Sequence, residues 1–279
     1  MCSAGALVAM EHMGFTGLFD EVYGTSAGVM NACYFLTGQA ALGIRIYYED
    51  MIRREIVNPL RVWKIFAVDR LFDTVVLANK RLRLQDILDS RSRLFIAMLD
   101  VATAEPVMVE ARAAGPRLLD ALRASTALPV FFNRVVEVDG RPCMDAGLAK
   151  IFPLDDALAA GCTDILVLLS HEESYRRPRP GPMARWMFNR ICARGNCALA
   201  QVYARCDQGD ARLRALALGR APVPTGVNIA TLVPGASAAV TRLTASPATL
   251  HAAAVAAGEN ALRAFGWGGS AWVLPSPAE

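Results

Sequence analysis

Segments rich in Val, Ile and Leu alternate along this chain with segments of helical periodicity, and this alternation constrains the fold more than any other feature. Extended apolar runs need helices packed over a sheet, so the pattern predicts an α/β domain with a mostly parallel central sheet. Strands are expected at 18–23, 94–101, 107–111, 133–138, 165–170 and 227–233. Helices are expected at 26–36, 42–54, 85–88, 116–124, 154–160, 197–217 and 247–265, with one more over 3–14 that places Ala6, Leu7 and Met10 on an apolar face. The Pro- and Arg-rich loop at 176–182 divides a core, 1–175, from a C-terminal helical and strand part of the same domain, 176–279.

Composition narrows the function classes. At 54% hydrophobic residues over 279 the chain can bury a substantial core, which excludes disorder of the whole. A net charge of +3, with no basic run beyond YRRPRP at Tyr175 to Pro180, gives no case for nucleic acid. Charges interrupt the apolar stretches before the roughly 18 residues that a spanning helix needs. His251, Glu259, Asn260 and Arg263, for example, break the Ala-rich tail. Seven scattered cysteines without a CxxC pair read as small buried side chains in a reducing compartment, so a cytoplasmic location is expected.

The stretch FDEVYGTSAGVMNACYF holds Ser26 in the frame Gly24-Thr25-Ser26-Ala27-Gly28, between a strand pattern and a helix pattern. In a nucleophile elbow, a sharp strand-to-helix turn lifts the serine hydroxyl to the N-terminus of the helix. Backbone N–H groups there stabilise a developing oxyanion, with the Ala27 amide first in line. Gly24 and Gly28 would allow strand and helix backbones to approach closely. The competing reading makes Ser26 or Thr25 an ordinary N-cap.

A nucleophilic serine needs a base. The three histidines are His12, His171 and His251; of these only His171 follows a strand, where it could reach a sheet's carboxyl edge. Asp145 is the stronger candidate. It follows a hairpin turn expected at Asp139-Gly140 and precedes a helix, with small Ala146 and Gly147 beside it. Partly apolar surroundings strengthen a carboxylate as a base, while the competing reading is a loop aspartate that caps backbone amides.

Three blocks in this order resemble the patatin-like phospholipases: GTSAGVMNA, then ALRASTALPVFF at Ala121 to Phe132, then MDAGLAKIFPL at Met144 to Leu154. The similarity continues through GCTDILVLLS and into the C-terminal tail. The resemblance implies a three-layer α/β fold and a lipid acyl hydrolase with a Ser26–Asp145 dyad. Ser26 would be the nucleophile, Asp145 the general base and Ala27 an oxyanion donor, with no metal and no cofactor. It implies a lipid ester substrate and peripheral contact with a lipid surface. Arg123, Ser125, Thr126 and Pro129 would form a wall of the site without a role in proton transfer.

The sequence departs from the family pattern twice. The family's Gly-rich oxyanion loop lies between its first strand and first helix, and this sequence starts at that helix. Strand and loop are therefore expected to be encoded upstream; a fragment or a degenerate member is the alternative. Without that loop, a non-catalytic lipid- or partner-binding protein is the competing function. Second, Ala146 stands where the family has glycine, which would cost about 1 kcal/mol if the position required positive φ. The segment 56–66, with Trp63 and Phe66, could dip into an interface or pack Val62, Ile65 and Phe66 into the core.

Overall fold

The structure is a computed structural model that describes residues 1–58, 60, 66–128, 135–234, 240, 244, 246–268 and 272–274. Helix α1 (Cys2–His12) leads through a 3-10 turn into β1 (Glu21–Thr25), α2 (Ala27–Leu36) and α3 (Ala40–Arg45), which continues as a π-helix over Ile46–Asp50. Then come α4 (Val68–Arg70), its π-helical extension Leu71–Asn79, α5 (Leu84–Asp89), β2 (Arg93–Asp100), β3 (Pro106–Glu110), α6 (Ala111–Ala114) and α7 (Leu118–Thr126). Strands β4 (Val136–Val138) and β5 (Arg141–Asp145) precede α8 (Leu154–Ala159), β6 (Asp164–Leu168) and α9 (Pro182–Phe188). The chain ends in α10 (Cys197–Ala204), α11 (Cys206–Ala217), β7 (Asn228–Leu232) and α12 (Pro247–Ala264).

The α/β class holds, with helices packed about a central sheet. The sheet itself is mixed rather than mostly parallel. Strand β1 runs parallel to β2, and β6 runs parallel to β7 in a separate pair. The pairings β2–β3, β2–β5 and β4–β5 are antiparallel. Connection length explains the pairs β2–β3 and β4–β5, because the turns between Asp100 and Pro106 and between Val138 and Arg141 are too short for the helical crossover that parallel strands require.

The expected turn at Asp139-Gly140 is present, with φ of 54° and 72° and Val138 opposite Arg141. Both central residues at positive φ match the right-handed twist of the hairpin it closes. Strand β5 was not expected, because RPCMD contains poor strand formers. The first strand begins three residues and ends two residues later than expected. The helix expected over 197–217 breaks at Arg205. The helix expected over 42–54 begins earlier and turns π-helical after Arg45.

Burial accounts for the core. Helix α1 is buried along most of its length, from Ser3 to Met10. A Cβ on Gly5 would fall 2.2 Å from the Ala254 carbonyl oxygen, so the backbones of α1 and α12 touch there. Ile56 is buried and Phe66 is partly buried against the core, joined by the bridge Val57–Phe66. Residues 61–65, including Trp63, lie outside the described residues, as do Pro129 and the start of the strand expected at 133. No described helix is long and apolar enough to cross a membrane.

Candidate active site

The pairing of β2 decides where Ser26 and Asp145 stand. Strand β3 lies opposite 95–99, overlapping the stretches opposite β1 (93–97) and β5 (98–100), so it must occupy one edge alone. Strands β1 and β5 therefore share the other edge end to end. Thr25 stands opposite Ala97, and Asp145 stands opposite the next residue, Met98. The two chains meet head-on and both must leave the sheet, β1 through Ser26 into α2 and β5 through Ala146 into a 3-10 turn.

The C-terminal end of α7 receives both departing strands. The backbone N–H of Ser26 donates to Ser125 Oγ at 3.1 Å, and the Ser125 hydroxyl donates to the Ala97 carbonyl at 2.7 Å. A side-chain oxygen thus spans β1 and β2 where the two strands part. The backbone N–H of Asp145 donates to the Ala127 carbonyl at 3.1 Å. Ser125 is fully buried, so its hydroxyl is held where water cannot substitute for it. Arg123, on the same helix, pairs with Asp73 and lies 5.6 Å over the Phe72 ring, tying α7 to the helical segment after α4.

Ser26 has φ 55° and ψ −132°, a region a non-glycine residue adopts only under strain. Its hydroxyl makes no capping bond to α2, and it is partly exposed while Thr25 beneath it is buried. The Thr25 hydroxyl is itself buried without a hydrogen-bond partner among the described residues. Ala27, the first residue of α2, is exposed, and its N–H belongs to the first helical turn, whose amides lack intrahelical acceptors.

The two glycines of the turn differ. A Cβ on Gly24 would fall 2.6 Å from Val29 Cα, so the strand needs glycine there to pass under the helix. A Cβ on Gly28 would meet nothing within 4 Å, and the clash expected at this position is absent. Close approach is carried by Gly24 alone.

Asp145 is fully buried. Its Oδ1 accepts from the Gly147 backbone N–H at 2.7 Å, which fixes the carboxylate against its own loop. Ala146 keeps a negative φ and is fully buried, so alanine introduces no backbone strain where the family has glycine. Lys150 pairs with Asp155 at 3.1 Å and Asp156 at 2.6 Å and thereby anchors the start of α8.

Each of the three histidines has an aromatic ring as a neighbour. The His171 ring is exposed and stacks on Tyr175 at 3.9 Å, His12 lies against Trp267 and His251 against Tyr48. Burial pushes the Cys143 thiol, two residues before Asp145, up to about 11, so it stays protonated at neutral pH. Sequence reasoning placed Ser125 in a passive wall and missed its bridge, whose only sequence signal was the block that contains it.

A family model described as "Patatin-like phospholipase" matches residues 1–158, which include β1 to β5, Ser26 and Asp145. The chain belongs to the patatin-like phospholipase family. It is also similar to an uncharacterized protein, YjjU, of Escherichia coli (strain K12), 26% identical over 158 residues. That match covers 54% of this chain and 43% of YjjU, so the chain spans less than half the length of this curated relative. The match to the patatin-like family ends within α8; β6, β7 and α9 to α12 lie beyond it.

Proposed function

We infer that this chain is a lipid acyl hydrolase in which Ser26 and Asp145 act as a dyad through an acyl-enzyme. Family membership supports hydrolysis of lipid esters. The observation that carries the residue assignment is Ser26, strained at φ 55°, leaving β1 beside the end of β5 that presents Asp145. Strain of this kind costs on the order of 1–3 kcal/mol and persists where the fold over-determines it, as at a reacting centre.

In this mechanism the Ser26 hydroxyl attacks the ester carbonyl while Asp145 takes its proton and passes it to the departing alcohol. The Ala27 N–H, at the positive end of α2, receives the oxyanion. Water then attacks the acyl-enzyme with Asp145 as base, and the fatty acid leaves. Residues 176–279 complete the same domain, since β7 pairs with β6 and α12 packs on α1. The substrate reaches the site at a lipid surface by peripheral contact.

Release of fatty acid from phospholipid vesicles and hydrolysis of a short-chain fluorogenic ester test this reading. Ser26→Ala lowers both by about three orders of magnitude or more at unchanged thermal stability. Ester hydrolysis that persists in this variant contradicts the assignment.

A further inference from the structure

The basic run noted in the sequence, YRRPRP, has no part in the proposed chemistry, yet it lines a second feature. A cavity of about 310 Å³ lies among Arg176, Arg177, Asp210, Arg214 and Arg220, with Asp207 at its wall. That volume falls within the range of small-molecule sites. Four arginines and two aspartates line it, and with Glu173 paired to Arg220 one positive charge remains in excess.

Among the described residues, Arg177, Arg214 and Arg220 each make one hydrogen bond, Arg176 donates Nη1 to three carbonyls of its own turn, and every fork carries further donors. Arg214 is only 5% exposed, its Nη2 donates to the Glu172 carbonyl at 2.6 Å, and its guanidinium lies 5.5 Å from the Tyr175 ring. Its Nε is buried with no hydrogen-bond partner among the described residues. Arg177 donates through Nη1 to the Gly147 carbonyl at 2.7 Å, Arg176 through Nη1 to the Tyr175 carbonyl at 3.0 Å, and Arg220 pairs with Glu173. Asp210 is 4% exposed, yet no ion pair joins it to Arg214 one helical turn away, and its Oδ1 also has no partner among the described residues.

A guanidinium more than nine-tenths buried, with its Nε unpartnered among the described residues and three more arginines around the same cavity, is a costly arrangement. An oxyanion with several acceptor oxygens would satisfy it, because planar guanidinium forks match phosphate geometry. We propose that the cavity lined by Arg176, Arg177, Arg214 and Arg220 binds a phosphate group. The phosphate is either free or carried as a phosphomonoester by a lipid headgroup. Two features make the lipid source worth a separate arm: α9 follows Arg177 closely in the chain, and its Met183 and Trp186 are 69% and 62% exposed. Occupancy would also bear on Asp145, since Arg177 holds the carbonyl of Gly147, whose N–H holds the Asp145 carboxylate.

Binding by the full 279-residue chain tests this without reference to hydrolysis. Inorganic phosphate and glycerol 3-phosphate are titrated calorimetrically. Vesicles of phosphatidylcholine, with and without phosphatidic acid, are tested by co-sedimentation. The double variant Arg176→Gln/Arg220→Gln alters two exposed side chains, and Arg212→Gln removes a charge from α11 outside the cavity. The proposal expects the wild type to bind at least one phosphate-bearing probe, the double variant to bind about tenfold more weakly, and Arg212→Gln to match the wild type. Binding of the soluble probes identifies free phosphate as sufficient, while binding to phosphatidic acid vesicles alone identifies the headgroup. No binding of any phosphate probe overturns the proposal. So does a double variant that binds as tightly as Arg212→Gln. Loss of ester hydrolysis in Ser26→Ala leaves this result untouched.

Discussion

The backbone N–H of Ser26 is bound at 3.1 Å by the hydroxyl of Ser125, which itself bonds the Ala97 carbonyl of the neighbouring strand. A buried hydroxyl thereby joins the strained turn to β2 beside the point where β5 ends at Asp145. Ser125→Ala leaves the part-buried Ser26 N–H and the buried Ala97 carbonyl without this partner and costs about 1–3 kcal/mol. Ester hydrolysis then falls by about ten- to a hundredfold, mainly in kcat, as the turn loses its position. Thermal denaturation alongside steady-state kinetics checks this, and a loss confined to stability would make Ser125 merely structural.

Strain at Ser26 predicts a trade between stability and activity. Ser26→Gly relieves the φ of 55° and raises stability by about 1 kcal/mol, a few degrees in Tm, while abolishing hydrolysis. Comparing the melting curves of Ser26→Gly and Ser26→Ala separates relief of backbone strain from loss of the hydroxyl. Equal Tm values would show that the conformation stores no strain.

The glycines on either side of Ser26 respond differently. Gly24→Ala drives a methyl into the Val29 backbone and costs about 3 kcal/mol or more, with loss of soluble or active protein. Gly28→Ala meets open space at a helical position and leaves Tm unchanged or slightly higher. Differential scanning fluorimetry of the pair decides it, and equal damage at both positions would contradict the turn geometry.

Burial pushes the Asp210 carboxyl above its ordinary value of 3.8, against the opposing pull of Arg214, Arg177 and Arg176. The folded chain therefore binds this proton more tightly than the unfolded chain. Stability falls as pH rises from the ordinary carboxylate value through the raised one, and the loss is complete above it. Asp210→Asn removes this loss, so Tm rises at neutral pH and the gain disappears below about pH 4. Melting curves of both proteins from pH 3 to 8 test the sign.

Much of this site is legible in the sequence because its parts are local. Gly24 and Ser26 lie within one turn, and Asp145 lies just beyond a hairpin that Asp139-Gly140 marks by its need for positive φ. The bridge through Ser125 is not legible. It depends on where β1 and β2 part company and on the end of a helix about a hundred residues away, none of which a local pattern encodes. The mixed sheet is hard to read for a related reason: a strand such as RPCMD is held by its neighbours and not by propensity. The arginine cavity was half visible as YRRPRP. Its other half, Arg214 and Arg220, comes from α11 and the turn that follows it, and only folding brings them together.

The most direct measurement is labelling with a fluorophosphonate followed by mass spectrometric mapping of the modified residue. A working Ser26–Asp145 dyad gives a single adduct on Ser26, absent in Ser26→Ala and slowed by about two orders of magnitude or more in Asp145→Asn. A folded protein that shows no adduct on Ser26, or one that reacts equally well without the Asp145 carboxylate, would contradict the dyad.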